Sequence, residues 1–250
     1  MREVPTGGWR SGVSPWPFGR RRVPGRRDAE ADDDAARRPR VAGVVPCAGA
    51  STRMGTSKAL LDAGGRSFVA AVVGSLFGGG CDPVVVVVGP GQDDEARRAK
   101  AAGALVLENP DPGEGPITSL RLALAALGGD VDGVALCPVD HPLVRPETVS
   151  RLLEAFVDGD ALVVLPTHRD RGGHPTLFRR SLFAELADPR LTGGARTVVH
   201  RHLAVADRLD VDDIGVVTDI DTPEAYQEAI GRLTGPSAGP RGPTEPEETP

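Results

Sequence analysis

Two cations, Arg53 and Lys58, stand in a run of small residues that follows a short apolar stretch. Val41–Val45 is rich in valine and closed by Pro46, which predicts a buried strand. Behind it come Cys47, Ala48, Gly49, Ala50, Ser51 and Thr52, and then Arg53, Gly55 and Lys58. Small side chains let backbone N–H groups approach phosphate oxygens, and fixed cations neutralise charge that the amides cannot. The chemistry that suits such a stretch is the holding of a polyphosphate. It is not a Walker A loop, because no Gly-Lys-Ser/Thr follows four variable residues, and it is not the dinucleotide G-x-G-x-x-G. As structure alone, the same stretch is a tight strand-to-helix turn with two surface cations.

The elements that would position this loop alternate along the chain. Helices are predicted at Ser67–Phe77, Gln92–Ala101, Ile117–Leu127 and Pro146–Phe156, and strands at Val84–Val88, Ala104–Leu107, Val131–Cys137 and Leu162–Leu165. The all-valine run Val84–Val88 fits a parallel strand covered on both faces. Thr167–Gly173 reads as a charged loop and Thr176–Phe178 as extended. Short helices follow at Leu182–Leu186 and Ala195–Val199, late strands at Leu203–Val205 and Gly215–Val217, and a last helix at Pro223–Leu233 capped by Thr222. Strands alternating with helices mean an α/β domain with a mostly parallel sheet, whose ligands sit outside the carboxyl ends of the strands. A Rossmann-like order puts the first and fourth strands side by side, so the cationic loop would meet Asp140, in Pro138-Val-Asp140-His-Pro142, at one edge.

Composition narrows the class. A net charge of -6 gives no general affinity for nucleic acid, so an anionic ligand must be held by local cations. Aromatics are 4% of the chain, which leaves the core to Val, Leu and Ala. Three cysteines without metal-ligand spacing suggest a reducing compartment and no disulfide framework. The apolar runs are too short to span a bilayer, and Arg20–Arg22 is not followed by an apolar segment. The expected compartment is the cytoplasm, with no membrane partner. Residues 1–40 are an Arg/Pro-rich extension expected to be disordered, a docking tail or the product of a misassigned start. Residues 41–233 form the expected domain, and 234–250 a disordered Pro/Glu-rich tail.

The segment Cys47–Lys58 resembles the L-A-A-G-x-S-x-R-M-G-x-x-K signature of MobA-like nucleotidyltransferases, nearest to their molybdenum cofactor cytidylyltransferase branch. In the same order, Gly115-Pro-Ile-Thr-Ser119-Leu120 resembles that family's G-x-x-x-S-L, Val139-Asp140-His-Pro142 its V-D-x-P, and Gly173-His174-Pro175 its G-H-P. Gly194-Ala195-Arg196 resembles its G-A-R, and Asp219-Ile-Asp221-Thr-Pro-Glu224 its D-I-[DN]-T-P-E. The resemblance spans Val41 to about Ile230. It implies a three-layer, Rossmann-like (GT-A-like) fold and transfer of a nucleotidyl group to a phosphate-bearing acceptor, with pyrophosphate leaving.

The resemblance also implies roles. Arg53 and Lys58 would bind the triphosphate and the departing pyrophosphate, and the loop amides of Cys47, Ala48, Gly49, Ala50 and Ser51 would line the nucleotide site with Gly115 and Ser119. Asp140 and Asp221 would hold Mg²⁺, a hard cation whose octahedron phosphates and waters complete. Asp221, just before Thr222-Pro223, could instead help to cap the last helix. His174 and Arg196 would face the acceptor. Alanine at position 48, where a guanosine-using branch has glycine, narrows the base slot and favours CTP. Pro46 stands where the family pattern has leucine and removes a backbone donor. The acceptor would be a molybdopterin-type cofactor, with transient contact to molybdoenzyme or maturation proteins. The competing expectations are a sugar or polyol phosphate acceptor, a nucleotide-binding regulatory module without turnover, and a glycosyltransferase. Cys47 and Cys137, closing neighbouring strands, are expected as small buried hydrophobes and as the thiols most open to oxidant.

Overall fold

The computed structural model describes residues 38–49 and 57–234. Residues 1–37 and 235–250 of the expected tails, and the loop residues Ala50, Ser51 and Arg53, lie outside the described residues. Arg40, expected in the tail, is bonded to the domain through Asp132 and Asp82. The valine-rich segments form β1 (Val41–Pro46) and β2 (Val84–Val88), joined in parallel by β3 (Leu105–Glu108) and β4 (Gly133–Leu136). The sheet order is β3-β2-β1-β4-β7-β5-β6, with β8 (Asp207–Asp210) pairing β5 (Val163–His168). β7 (Thr176–Arg179) runs antiparallel between β4 and β5, and β6 (Arg171–Gly172) closes a hairpin onto β5. The first and fourth strands are neighbours, as the Rossmann-like order requires.

Side-chain alternation along the strands divides the core into two sides. On one, Val41, Val45, Val84, Val86 and Val88 meet α1 (Phe68–Gly78), α2 (Asp93–Ala101) and α4 (Pro146–Asp158). On the other, Ala42, Val44, Val85 and Val87 meet α3 (Pro116–Leu127), α5 (Phe183–Ala187) and α6 (Gly194–His202). The result is the expected three-layer α/β architecture. Gly43 permits the close approach of α1, since a β-carbon there would stand 3.0 Å from Leu76 Cδ1. A third, smaller cluster docks the last helix, α7 (Pro223–Thr234): Ala229 and Tyr226 pack with Phe68 and Ile220. Its first turn is capped, as expected, by Thr222 Oγ1 accepting from the Ala225 N–H at 3.2 Å.

Three local expectations are corrected. Leu203–Val205 is a 3-10 turn, not a strand, because its apolar side chains face solvent: Val205 is 65% exposed. The strand is the polar segment just after it, β8, made a strand by backbone pairing with β5 rather than by apolarity. Gly215–Val217 lies in a 3-10 turn, Ile214–Val217, folded over the buried Asp213 carboxylate. That carboxylate accepts from the Gly215 and Arg145 N–H groups and from the Thr148 hydroxyl, so the local backbone is satisfied without a ladder. Third, Thr167–Gly173 is not one loop. β5 continues to His168 and turns back through Arg169 and Asp170, both at positive φ (50° and 64°).

Candidate active site at the carboxyl ends of β1 and β4

Strands β1 and β4 stop beside each other, and the segments into which they run build a cleft. The Cys47 N–H donates to Val87 O at 2.8 Å and the Cys137 N–H to Val44 O at 3.0 Å, so both chains leave the sheet in register. A cavity of about 180 Å³ opens there, lined by Cys47, Ala48 and Gly49 from the end of β1, Lys58 from the 3-10 turn Lys58–Leu60, and Asp140 after β4. Gly115 and Ser119 form its opposite wall. Gly115 is the N-cap of α3 at φ 88°, a conformation that costs a glycine little, and Pro116 sits at the first helical position.

Ser119 stands inside α3, past its Gly115 N-cap. It is almost wholly buried, and its hydroxyl accepts from Asn109 Nδ2 at 3.2 Å. Asn109, at the end of β3, is a residue that sequence reasoning missed. Its amide also donates to Thr118 Oγ1 at 2.8 Å and thereby ties the start of α3 to the sheet. A polar residue just after a parallel strand and before Pro110 was the available signal.

Asp221 reaches the cleft's Lys58 from far along the chain. It forms an ion pair with Lys58, and the segment that carries it is pinned by the Ile220 N–H donating to Asp140 O at 2.9 Å. Asp140 Oδ1 is buried and makes no hydrogen bond; the nearest ring nitrogen, His141 Nε2, is 3.8 Å away. Burial, and then the negative charge of Asp221, push the Asp140 carboxyl above the usual carboxylate range, with Lys58 opposing them. Two carboxylates held together, one with an orphaned buried oxygen, fit a hard divalent cation that takes its remaining ligands from phosphate and water. Among the described residues no group of three or more His, Cys, Asp or Glu side chains is placed to hold a metal ion.

His174 lies behind this cleft rather than in its lining. Its Nδ1 is 3.3 Å from Leu136 O, and its ring packs on His141 with centroids 4.7 Å apart. Burial, followed by the neighbouring His141, lowers the His174 pKa to about 4, so the ring is neutral near pH 7. The preceding Gly173 is required by contact: a β-carbon there would stand 2.2 Å from Val216 O. Arg196 is exposed on α6, with its Nε 3.3 Å from His200 Nε2, and lines neither this cavity nor a larger one beside α7. Cys47 and Cys137 are buried at the strand ends, and Cys81 lies in the same core. Burial raises all three thiols, that of Cys47 to about 12, which makes them poor targets for oxidant, contrary to expectation.

A mostly parallel sheet in this strand order, with a cation and two carboxylates at the carboxyl ends of β1 and β4, fits a nucleotide-handling α/β domain. The family model for the MobA-like NTP transferase domain matches residues 43–232. The chain belongs to that family and is a nucleotidyltransferase of the MobA-like type. A relative from Mycobacterium avium (strain 104), named probable molybdenum cofactor guanylyltransferase, is 33% identical over 161 residues, 63% of this chain and 78% of the relative. Nicotine blue oxidoreductase of Paenarthrobacter nicotinovorans is 30% identical over 194 residues, 74% of this chain and 94% of that protein. Among solved structures, the complex of Rv0371C from Mycobacterium tuberculosis H37Rv with manganese superposes with a TM-score of 0.61 at 28% identity, covering 76% of this chain and 97% of that one. Among the described residues, no helix is long and apolar enough to cross a membrane.

Proposed function

We propose that the chain transfers CMP from CTP to a phosphate-bearing acceptor of the molybdopterin type and releases pyrophosphate. The observation that carries the reading is that Lys58 and Asp140 line one cleft and Asp221 pairs with Lys58, with an Asp140 oxygen buried and unbonded. Lys58, with Arg53 from the adjoining loop, binds the triphosphate. Asp140 and Asp221 would hold Mg²⁺, and the manganese complex of a structural relative supports a divalent metal here. That cation supplies charge stabilisation to the triphosphate when bound.

An oxygen of the acceptor phosphate forms the new bond to the α-phosphorus. The bond from the α-phosphorus to the bridging oxygen breaks, and pyrophosphate departs with the electron pair. The acceptor phosphate is already ionised near neutral pH, so no general base is required. The charge that grows on the leaving oxygens falls to the cations at Lys58 and Arg53. His174 is neutral and faces backbone, so it positions the wall behind Asp140 and does not shuttle the proton that this reaction lacks.

Ala48 lines the cleft and supports the smaller pyrimidine base, since its methyl narrows the slot. The guanylyltransferase name of the Mycobacterium avium relative supports GTP as the second reading. Pyrophosphate release, measured over a panel of the four triphosphates with sugar, polyol and pterin phosphates, tests the reaction and both bases at once. Release with CTP and a pterin phosphate is the expected result. Preference for GTP transfers the reading to the guanylyl branch. Tight CTP·Mg²⁺ binding without release on any acceptor returns the regulatory module, and a redox change without pyrophosphate returns the chemistry named for the oxidoreductase relative.

A further inference from the structure

Among the described residues, two polar atoms of the cleft lining are buried without a hydrogen bond: Asp140 Oδ1 and the hydroxyl oxygen of Ser57. The proposed reaction uses the first and leaves the second without a task. Ser67 Oγ is buried and unbonded too, but Ser67 lines neither cavity, so burial alone marks nothing.

Ser57 stands just ahead of the 3-10 turn Lys58–Leu60, in extended backbone at φ -64° and ψ 119°. A serine in such a place ordinarily accepts a backbone N–H of the turn with its side chain. Here the side chain makes no such bond, and the Leu60 N–H goes to Ser57 O at 3.1 Å. The other hydroxyl of the lining, that of Ser119, is engaged by Asn109. Local folding therefore gives the Ser57 hydroxyl nothing to do, and a buried hydroxyl left unpaired costs stability.

The rest of the lining is short of donors. Pro46, Pro112, Pro116 and Pro138 have no N–H, and an ionised Asp140 only accepts. A polyphosphate presents acceptors, and each oxygen that leaves water needs a donor in its place. Lys58 brings a charge to the cleft, and Ser57 brings a neutral O–H from the adjoining position.

We propose that Ser57 is a further substrate-binding residue, whose hydroxyl donates to a non-bridging oxygen of the part of the triphosphate that departs as pyrophosphate. The inference rests on the nucleotidyl-transfer reading above and adds a phosphate contact to it. Rotation about the Cα–Cβ bond carries a serine hydroxyl from one staggered position to another, so the oxygen turned inward without ligand is the one that turns to meet it. A hydrogen bond to an anionic oxygen strengthens as charge grows there, so the contact favours the departing group over the bound substrate.

The test uses the full chain and inorganic pyrophosphate, titrated calorimetrically with magnesium and again in EDTA. Ser57→Ala should bind pyrophosphate about tenfold more weakly under both conditions, the loss of one hydrogen bond to a charged group. Ser57→Thr, which keeps the hydroxyl, should bind as the parent does. Without ligand, Ser57→Ala should melt at or above the parent, because it removes an unpaired buried polar atom. Equal affinity in the parent and Ser57→Ala, an equal loss in the alanine and threonine variants, or a melting temperature below the parent's would overturn the proposal. So would a loss seen only with magnesium, which would put the hydroxyl on the cation's water instead. Pyrophosphate release from CTP by the parent separates the two levels. If the parent turns over and Ser57→Ala matches it in affinity, only the Ser57 assignment fails. If the parent releases none from any triphosphate yet binds pyrophosphate through Ser57, the transfer reading fails and the phosphate contact stands. If the parent binds neither pyrophosphate nor any triphosphate, both fall.

Discussion

Lys58 and Asp221 form an ion pair across 163 residues of sequence, at the carboxyl edge of β1. The pair joins the turn after the cationic loop to the segment that precedes the last helix. Each partner has a role in the proposed reaction that requires it to leave the other: Lys58 to grip phosphate, Asp221 to share a cation with Asp140.

Replacement of Lys58 by alanine should therefore separate chemistry from folding. Removing a cation that meets developing charge costs about 10²–10³ in rate by analogy with other electrostatic donors. The melting temperature should move by only a few degrees, because a partly exposed ion pair is worth about 0–1 kcal/mol. Steady-state pyrophosphate release and a thermal melt on the same sample check both halves. A fall in melting temperature that matches the loss of activity would assign Lys58 a structural role.

Asp140 carries the opposite signature. Its charge is disfavoured in the fold by burial and by Asp221, so Asp140→Asn should melt no lower than the parent in EDTA while losing turnover. Magnesium should raise the melting temperature of the parent and not of the variant. At 100 times its dissociation constant, a ligand that binds only the native state adds about 2.7 kcal/mol. Equal magnesium stabilisation of both proteins would exclude Asp140 as a ligand.

The His174 pKa, lowered to about 4, predicts a stability that depends on pH. The unfolded ring titrates near 6.5 and the folded one lower, so between these values the unfolded chain binds the extra proton. Stability from this group is complete above about pH 6.5 and is lost as pH falls towards 4. The neighbouring Asp140 contributes with the opposite sign, so the comparison is between the parent and His174→Gln over pH 4–7. A flatter profile in the variant is expected, and parallel profiles would remove His174 as the cause.

Cys47, Cys81 and Cys137 should resist modification. Their burial and raised thiols leave almost no thiolate at pH 8. An aromatic disulfide reagent should titrate none of them in the native protein and all three in denaturant. Rapid labelling of Cys47 under native conditions would mean that the cleft opens more widely than its buried wall indicates.

Much of this was legible in the residues. Runs such as Val84–Val88 and the spacing Ile117, Leu120, Leu124, Leu127 mark elements by periodicity, and periodicity follows from which faces must be dry. Gly115 announced a turn because its need for positive φ is local, whereas Gly173 is required by contact with the distant Val216. Legibility ended where a strand owes its existence to a neighbour. β8 is polar and is made by pairing with β5, whereas Leu203–Val205 has the apolarity of a strand and no partner strand among the described residues.

The sequence by itself determined the order of elements and the chemical types available to the cleft: cations after β1, a carboxylate after β4, a carboxylate before α7. Only the tertiary structure decided which of them meet. It joined Asp221 to Lys58, left an Asp140 oxygen without a hydrogen bond, drew Asn109 in behind Ser119, and set Arg196 on an exposed helix face away from both cavities. The physical reason is that periodicity and turn chemistry act over a few residues, whereas these contacts span from 10 to 163 residues. They are fixed by strand order and by how helices pack on the sheet, which no local stretch encodes.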